Sequence, residues 1–265
     1  MSTEAAPAVR YEVADGVATL TLDRPDARNI LDGASLTALR EHLAAAAADE
    51  AVRVVVLTGT GSAFCAGADL RGATAGDAEG FAAAGPQALV DVLTAMLDHP
   101  KPLIARVQGH VAGGGNGLVA ACDLAVAVDA AKFAFSEVRV GVAPAVISVV
   151  CLAKMAPSQA AELLLTGERV SAERAREAGL VQRVVPAEEL DAAVAGWVDA
   201  LRRGGPLALA ATKELLRTVP ALPRDEAFAM TAALSAGLFA SEEAREGMTA
   251  FLERRPASWC PPADG

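Results

Sequence analysis

The chain twice repeats one local design, and that repetition limits its fold more than any other feature. VRVVVLTGTGSAF (52–64) and PLIARVQGHVAGGGNGL (102–118) each hold a β-branched apolar run, then glycines, then a helix start. Continuous apolar runs of this length are buried strands of a parallel sheet, and parallel strands need helical crossovers. DLAVAV (123–128) supplies another such strand. The order strand, loop, helix therefore predicts an α/β core. At each glycine turn the first amides of the helix lack partners and, with the helix dipole, favour negative charge, while glycine lets a ligand approach the backbone.

Other segments fit around this core. YEV and VATLTL flank Asp15-Gly16 and predict a β-hairpin. Ser35 is expected to begin a helix through Leu36, Leu39 and Leu43, and the segment from Asp77 to Asp98 reads as helical. Ser171 caps a short helix ending at Gly179, LVQRVV is a last strand, and everything after Pro186 reads as helix. Pro206 suits a first helical turn. Ser241, with Glu242 and Glu243 behind it and Arg254 and Arg255 at the far end, brackets a helix whose apolar stripe is Ala244, Met248, Phe251 and Leu252. Such a stripe packs either on its own core or on a neighbouring subunit.

Composition narrows the function. At 265 residues and 53% hydrophobic the chain can bury a large core, built from small side chains because alanine is abundant and aromatics are few. A net charge of −10 argues against nucleic acid, which needs clustered Lys and Arg. No apolar run approaches a membrane span, and MSTEAAPAVR has no apolar core of the signal-peptide kind. Cys65, Cys122, Cys151 and Cys260 are scattered without a CxxC, as in reduced cytoplasmic proteins, and His42, His99 and His110 show no metal-ligand spacing. Three known glycine motifs also fail. Phe64 stands at the third position of a dinucleotide fingerprint, Gly115-Asn116 stands where a P-loop has Lys-Ser/Thr, and no GxSxG occurs. Two glycine turns on different loops suggest instead a pair of amide donors for one oxyanion.

GTGSAFCAGADL (59–70), KPLIARVQGHVAGGGNGLVAACDLAVA (101–127) and FAFSEVRVGVAP (133–144) resemble the crotonase superfamily, the enoyl-CoA hydratases and isomerases. The likeness runs from LDRPDARNIL (22–31) to EGMTAFLERRP (246–256). It implies an α/β fold of the crotonase (ClpP-like) type: a spiral of repeated ββα units over residues 1–200 and a helical C-terminal trimerisation region over 201–265. It implies an acyl-CoA thioester substrate, coenzyme A as part of that substrate with no permanently bound cofactor or metal, and a homotrimer or dimer of trimers. Carried over by position, Ala68 and Gly114 would donate the two amides to the thioester oxygen, each worth roughly 3–4 kcal/mol in the transition state. Ala27, Arg28, Ala66, Asp69 and Leu70 would line the coenzyme A site. Arg24, Arg71 and Arg254 or Arg255 of a neighbouring subunit would meet its phosphates.

Many hydratases of this superfamily carry two glutamates, and this chain keeps one. Gly117 stands at the first position and Glu137 at the second. The resemblance makes Glu137 the acid/base, its pKa raised by burial among Phe133, Phe135 and Val138. Water addition is simplest with two such groups, whereas a double-bond shift between C2 and C4 needs one. SEVRVGVAPAVIS (136–148) is similar to bacterial methylglutaconyl-CoA-type hydratases, where a glycine often stands at the position of Gly117. Hydration is therefore the first expectation, isomerisation the second, and a non-catalytic acyl-CoA binder the rival. Asn116 is expected to face core or backbone, Asp69 to fix its loop, His110 to be buried and hydrogen-bonded, and Ser148 is only a remote candidate for the acyl pocket.

Overall fold

The computed structural model describes residues 7–69 and 78–261, with the side chains of 78–84 set aside. Strands β1 (Val9–Ala14) and β2 (Val17–Leu22) form the hairpin, with Ala14 opposite Val17. Asp15 and Gly16 both take positive φ (50° and 75°), as the mirror-image two-residue turn requires. Helix α1 (Gly33–Ala48) begins two residues before Ser35. Asp32 is its cap: the Asp32 carboxylate accepts the Ser35 amide at 2.9 Å, and the Ser35 hydroxyl accepts the Asp32 amide at 2.9 Å.

Each long apolar run of the sequence divides into two strands. β3 (Val54–Gly59) is followed by β4 (Ala63–Cys65), β5 (Leu103–Val107) by β6 (His110–Ala112), and β7 (Leu124–Val128) by β8 (Lys132–Ala134). The first member of each pair lies in a six-stranded sheet of order β1-β2-β3-β5-β7-β10, where β10 is Arg183–Val185. The second lies in a four-stranded sheet of order β4-β6-β8-β9, where β9 is Arg169–Ser171. PLIARVQGH reads as one strand but breaks after Val107. Just past the break a Cβ on Gly109 would stand 2.3 Å from the Ser62 carbonyl oxygen, so the chain crosses the preceding winding there with no side chain between.

Helices α2 (Ala78–Leu97), α3 (Gly114–Ala121) and α4 (Ala145–Lys154) follow the three windings. Strand, strand and helix thus recur three times, which is the spiral of ββα units that the resemblance implies. Because β4, β6 and β8 are parallel neighbours, the segments that leave them lie side by side at one edge. All eight residues of α3 are buried. The core around it includes Phe64, Phe133 and Phe135, each at most 1% exposed and each stabilising the fold by roughly 1.5–3 kcal/mol through burial. Three of the four free thiols, Cys65, Cys122 and Cys151, share this core, and burial pushes each up to about 12.

The remaining helices are α5 (Pro157–Thr166), α6 (Ala172–Glu177), α7 (Leu190–Arg202), α8 (Pro206–Thr218), α9 (Arg224–Phe239) and α10 (Glu242–Glu253). Ser171 caps α6 and Ser241 caps α10, each hydroxyl accepting an amide at 3.1 Å. Helix α7 buries Leu190, Val194 and Val198, whereas from Pro206 onward the buried apolar side chains among the described residues are Ala211 and Ala250. The stripe on α10 faces outward on this chain: Met248 is 47% exposed, Phe251 82% and Leu252 80%. Lys213 ties α8 back to the spiral, donating to the Met96 carbonyl at 3.0 Å and pairing with Asp123 at 3.0 Å. No helix among the described residues is long and apolar enough to cross a membrane.

Candidate active site

Three segments meet at that edge, one from each winding. The first runs through Ala66–Asp69 after β4. It is held by the turn at residues 24–31, where Pro25–Ala27 form a short 3-10 helix and Arg28 and Asn29 both have φ of 54°. Asparagine tolerates that left-handed conformation better than most residues. The Asn29 side chain is 2% exposed and bonds three ways: it accepts from the Arg24 amide at 2.8 Å and donates to the carbonyls of Thr60 at 2.9 Å and Ala63 at 2.8 Å. The Ala66 amide then donates to Arg28 O at 3.0 Å, the Leu31 amide to Gly67 O at 2.8 Å, and the Asp69 amide to Leu31 O at 3.2 Å. This is one rung of parallel pairing between Leu31 and Ala68. In such a rung the Ala68 amide points away from its partner, and no acceptor among the described residues takes it.

The second segment is the glycine turn before α3. Gly113 has φ of 51°, and its amide donates to Ala134 O at 3.1 Å. The Gly114 amide, first in the helix, has no acceptor among the described residues. The two turns touch backbone to backbone: a Cβ on Gly67 would meet the Gly114 nitrogen at 3.3 Å and Ala112 O at 3.0 Å. Asn116 is fully buried and donates to Ala134 O at 2.8 Å, so it faces backbone as expected.

The third segment is the 3-10 turn Ser136–Val140 after β8, which carries Glu137. A Cβ on Gly113 would lie 3.6 Å from Glu137 Oε1 and 3.5 Å from the Gly67 Cα, which places the carboxylate beside both turns. Glu137 Oε2 is buried without a hydrogen-bond partner among the described residues. Burial raises the Glu137 pKa, against the opposing pull of its own amide. Phe133 and Phe135 are at most 1% exposed, while Val138 turns outward at 36%.

The structure thus brings Ala68, Gly114 and Glu137 together. Ala27, Arg28 and Ala66 adjoin one another on the first segment. Arg24 pairs with Asp32, whose carboxyl is lowered although burial pulls it the other way, because the Ser35 amide and the Arg24 guanidinium favour its charged form. Leu70 and Arg71 lie outside the described residues. Arg255 is occupied on its own chain by Glu246 at 2.7 Å and Glu253 at 2.7 Å. Arg254 forms the left-handed cap of α10. His110 is exposed rather than buried, because β6 presents it outward, and its Nδ1 accepts the Lys132 amide at 3.1 Å. The Ser148 hydroxyl turns back onto Ala145 O at 2.7 Å.

Two residues escaped the sequence reading. Asn29 organises the first segment, and a lone Asn in a turn offers no spacing signal beyond its tolerance of positive φ. Ile147 of α4 lies against Gly117: a Cβ there would stand 2.6 Å from Ile147 Cγ2, 3.1 Å from its Cβ and 3.6 Å from Leu93 Cδ1. In sequence Ile147 is one apolar residue of an apolar helix.

Comparison with known proteins agrees with this architecture. Residues 12–261 match the family described as enoyl-CoA hydratase/isomerase. The chain is 34% identical over 258 residues to enoyl-CoA hydratase EchA19 of Mycobacterium tuberculosis, covering 96% of this chain and 97% of that protein. It is 35% identical over 240 residues to 2,3-dehydroadipyl-CoA hydratase of Escherichia coli, covering 90% and 93%. A crystal structure of an enoyl-CoA hydratase from Mycobacterium smegmatis superposes with a TM-score of 0.90 at 38% identity, over 96% of this chain and 99% of that one. The fold is the crotonase fold, and the chain belongs to the enoyl-CoA hydratase/isomerase family.

Proposed function

We propose that the chain is an enoyl-CoA hydratase that adds water to a 2-enoyl-CoA thioester, with Glu137 as its one acid/base. The amides of Ala68 and Gly114 hold the thioester oxygen as it becomes an enolate. Glu137 takes a proton from water as the hydroxide bonds to C3. The same carboxyl then returns that proton to C2, and the thioester carbonyl re-forms. Ala27, Arg28, Ala66, Asp69 and Leu70 take the coenzyme A portion, with Arg24 sharing its charge between Asp32 and a phosphate. The observation that carries this reading is the Glu137 carboxylate beside Gly113, one residue from an amide with no acceptor among the described residues.

The test is loss of the conjugated absorbance of crotonyl-CoA on incubation with the purified protein. Glu137→Gln is expected to lower the rate by about 10²–10⁴-fold, and an unchanged rate overturns the assignment. A second reading, Δ3-Δ2 isomerisation, is favoured by Ile147 and Leu93 closing the face of Gly117, since proton transfer between C2 and C4 needs only Glu137. Appearance of conjugated absorbance from 3-hexenoyl-CoA measures it. The exposed Phe228, Phe239, Phe251 and Leu252 support packing of α9 and α10 against other copies as a trimer or a dimer of trimers, which light scattering of the eluted protein tests.

A further inference from the structure

Gly114 and Gly117 lie on one face of α3, a helical turn apart. That face is closed by branched aliphatic side chains. At Gly114 a Cβ would meet Leu31 Cδ1 at 3.1 Å and Leu89 Cδ2 at 3.6 Å, and at Gly117 it would meet Ile147 Cγ2 at 2.6 Å and Leu93 Cδ1 at 3.6 Å. The polar residues next in sequence do not reach it, since the Asn116 amide donates to Ala134 O and the Ser148 hydroxyl to Ala145 O. Ile147 is 2% exposed and so has little room to withdraw.

We infer that Ile147 is the specificity-determining residue of this site: its side chain takes the volume that a second acid/base group on the Gly117 face of α3 needs, and so sets the ratio of water addition to double-bond migration. The inference rests on the assignment of Glu137 proposed above. In migration, Glu137 removes a C2 proton from a 3-enoyl thioester and returns it to C4. The double bond moves to C2–C3 and nothing is added. In hydration a water must also stand beside C3 and be held there. An aliphatic face offers it no partner, so water addition here depends on Glu137 alone and gains nothing from a second group. Freeing the volume admits water, and filling it with a carboxylate positions that water.

The experiment compares the parent with Ile147→Ala, Gly117→Glu and the pair combined, each assayed with crotonyl-CoA for hydration and 3-hexenoyl-CoA for migration. The combined variant is expected to raise the hydration-to-migration ratio at least about tenfold over the parent, and Gly117→Glu alone to lose both activities. A ratio that stays fixed in a combined variant that folds and binds crotonyl-CoA overturns the inference. A steric arm uses urea denaturation and the milder Gly117→Ala. That substitution is expected to be clearly destabilising alone and nearly neutral in the Ile147→Ala background, and strictly additive effects overturn the occlusion. A parent that binds crotonyl-CoA but turns over neither substrate overturns the reading of Glu137, while the urea arm still decides whether Ile147 excludes a group at position 117.

Discussion

Asn29 donates to the carbonyl of Ala63, thirty-four residues away, at 2.8 Å, and so pins the turn before α1 to the strand that leads into Ala68. Removing the amide strands the half-buried Thr60 carbonyl and Arg24 amide, while the Ala63 carbonyl keeps Gln108 Nε2 at 2.9 Å. Asn29→Ala is expected to cost about 1–3 kcal/mol in urea denaturation for each group stranded and not rehydrated. It also forces a non-glycine, non-asparagine residue into positive φ. With crotonyl-CoA, turnover is expected to fall further than stability alone predicts at temperatures where the variant stays folded, because Ala66–Asp69 lose their anchor. Unaltered turnover in the folded variant argues against that coupling.

Gly115 is a second close approach. A methyl group there would sit 2.8 Å from the Cys65 carbonyl oxygen and 2.9 Å from the Cys65 Cβ, so α3 would have to move off β4. Gly115→Ala is expected to destabilise by about 1–3 kcal/mol as overpacking does. Gly33→Ala, at a position where a Cβ meets nothing within 4 Å, is the control expected to be neutral or slightly stabilising.

Burial raises the Glu137 pKa, and the sign of its effect on stability follows. Between the unfolded and the raised folded value the native chain binds more protons, so its stability falls as pH rises through that interval. Glu137→Gln is expected to be more stable than the parent at neutral pH, with the advantage fading below the ordinary carboxylate value of about 4.3. The acid limb of the hydration rate is expected above that ordinary value, because the carboxylate form is the working one. Urea titrations and initial rates from pH 4 to 8 measure both.

His99 carries the opposite sign. It is 4% exposed, its Nδ1 accepts the Lys101 amide at 3.1 Å, and its Nε2 lies 3.2 Å from Leu43 O. Burial lowers its pKa, so the neutral ring is the native form. Stability from this group is full above the usual imidazole value of about 6.5 and is lost as pH falls through the depressed folded one. Thermal melts of the parent are expected to decline on acidification below about pH 6.5, and His99→Gln to flatten that slope while costing roughly 1–3 kcal/mol at pH 7.

Much of this was legible in the residues. Two-residue Asp15-Gly16, the caps at Ser171 and Ser241, and the β-branched runs each obey a local rule that tertiary structure did not override. The break in PLIARVQGH is hidden, because the close crossing at Gly109 is with Ser62, 47 residues upstream. Periodicity marks the stripe on α10 as a face yet says nothing of what covers it, and on this chain Met248, Phe251 and Leu252 point outward. The apolar run before His110 points to a buried ring, but alternation along β6 turns it out. The meeting of Ala68, Gly114 and Glu137 came from resemblance, since only the parallel order of β4, β6 and β8 makes them neighbours.

The carbonyl of Ala134 accepts twice from the glycine turn, from the Gly113 amide at 3.1 Å and from Asn116 Nδ2 at 2.8 Å, and Glu137 follows it by three residues. Carboxylate and amide are therefore moored to a common post. A shift of the segment that carries Ala134 moves the glycine turn and Glu137 in the same direction, and the distance between them changes less than the distance of either from the rest of the chain.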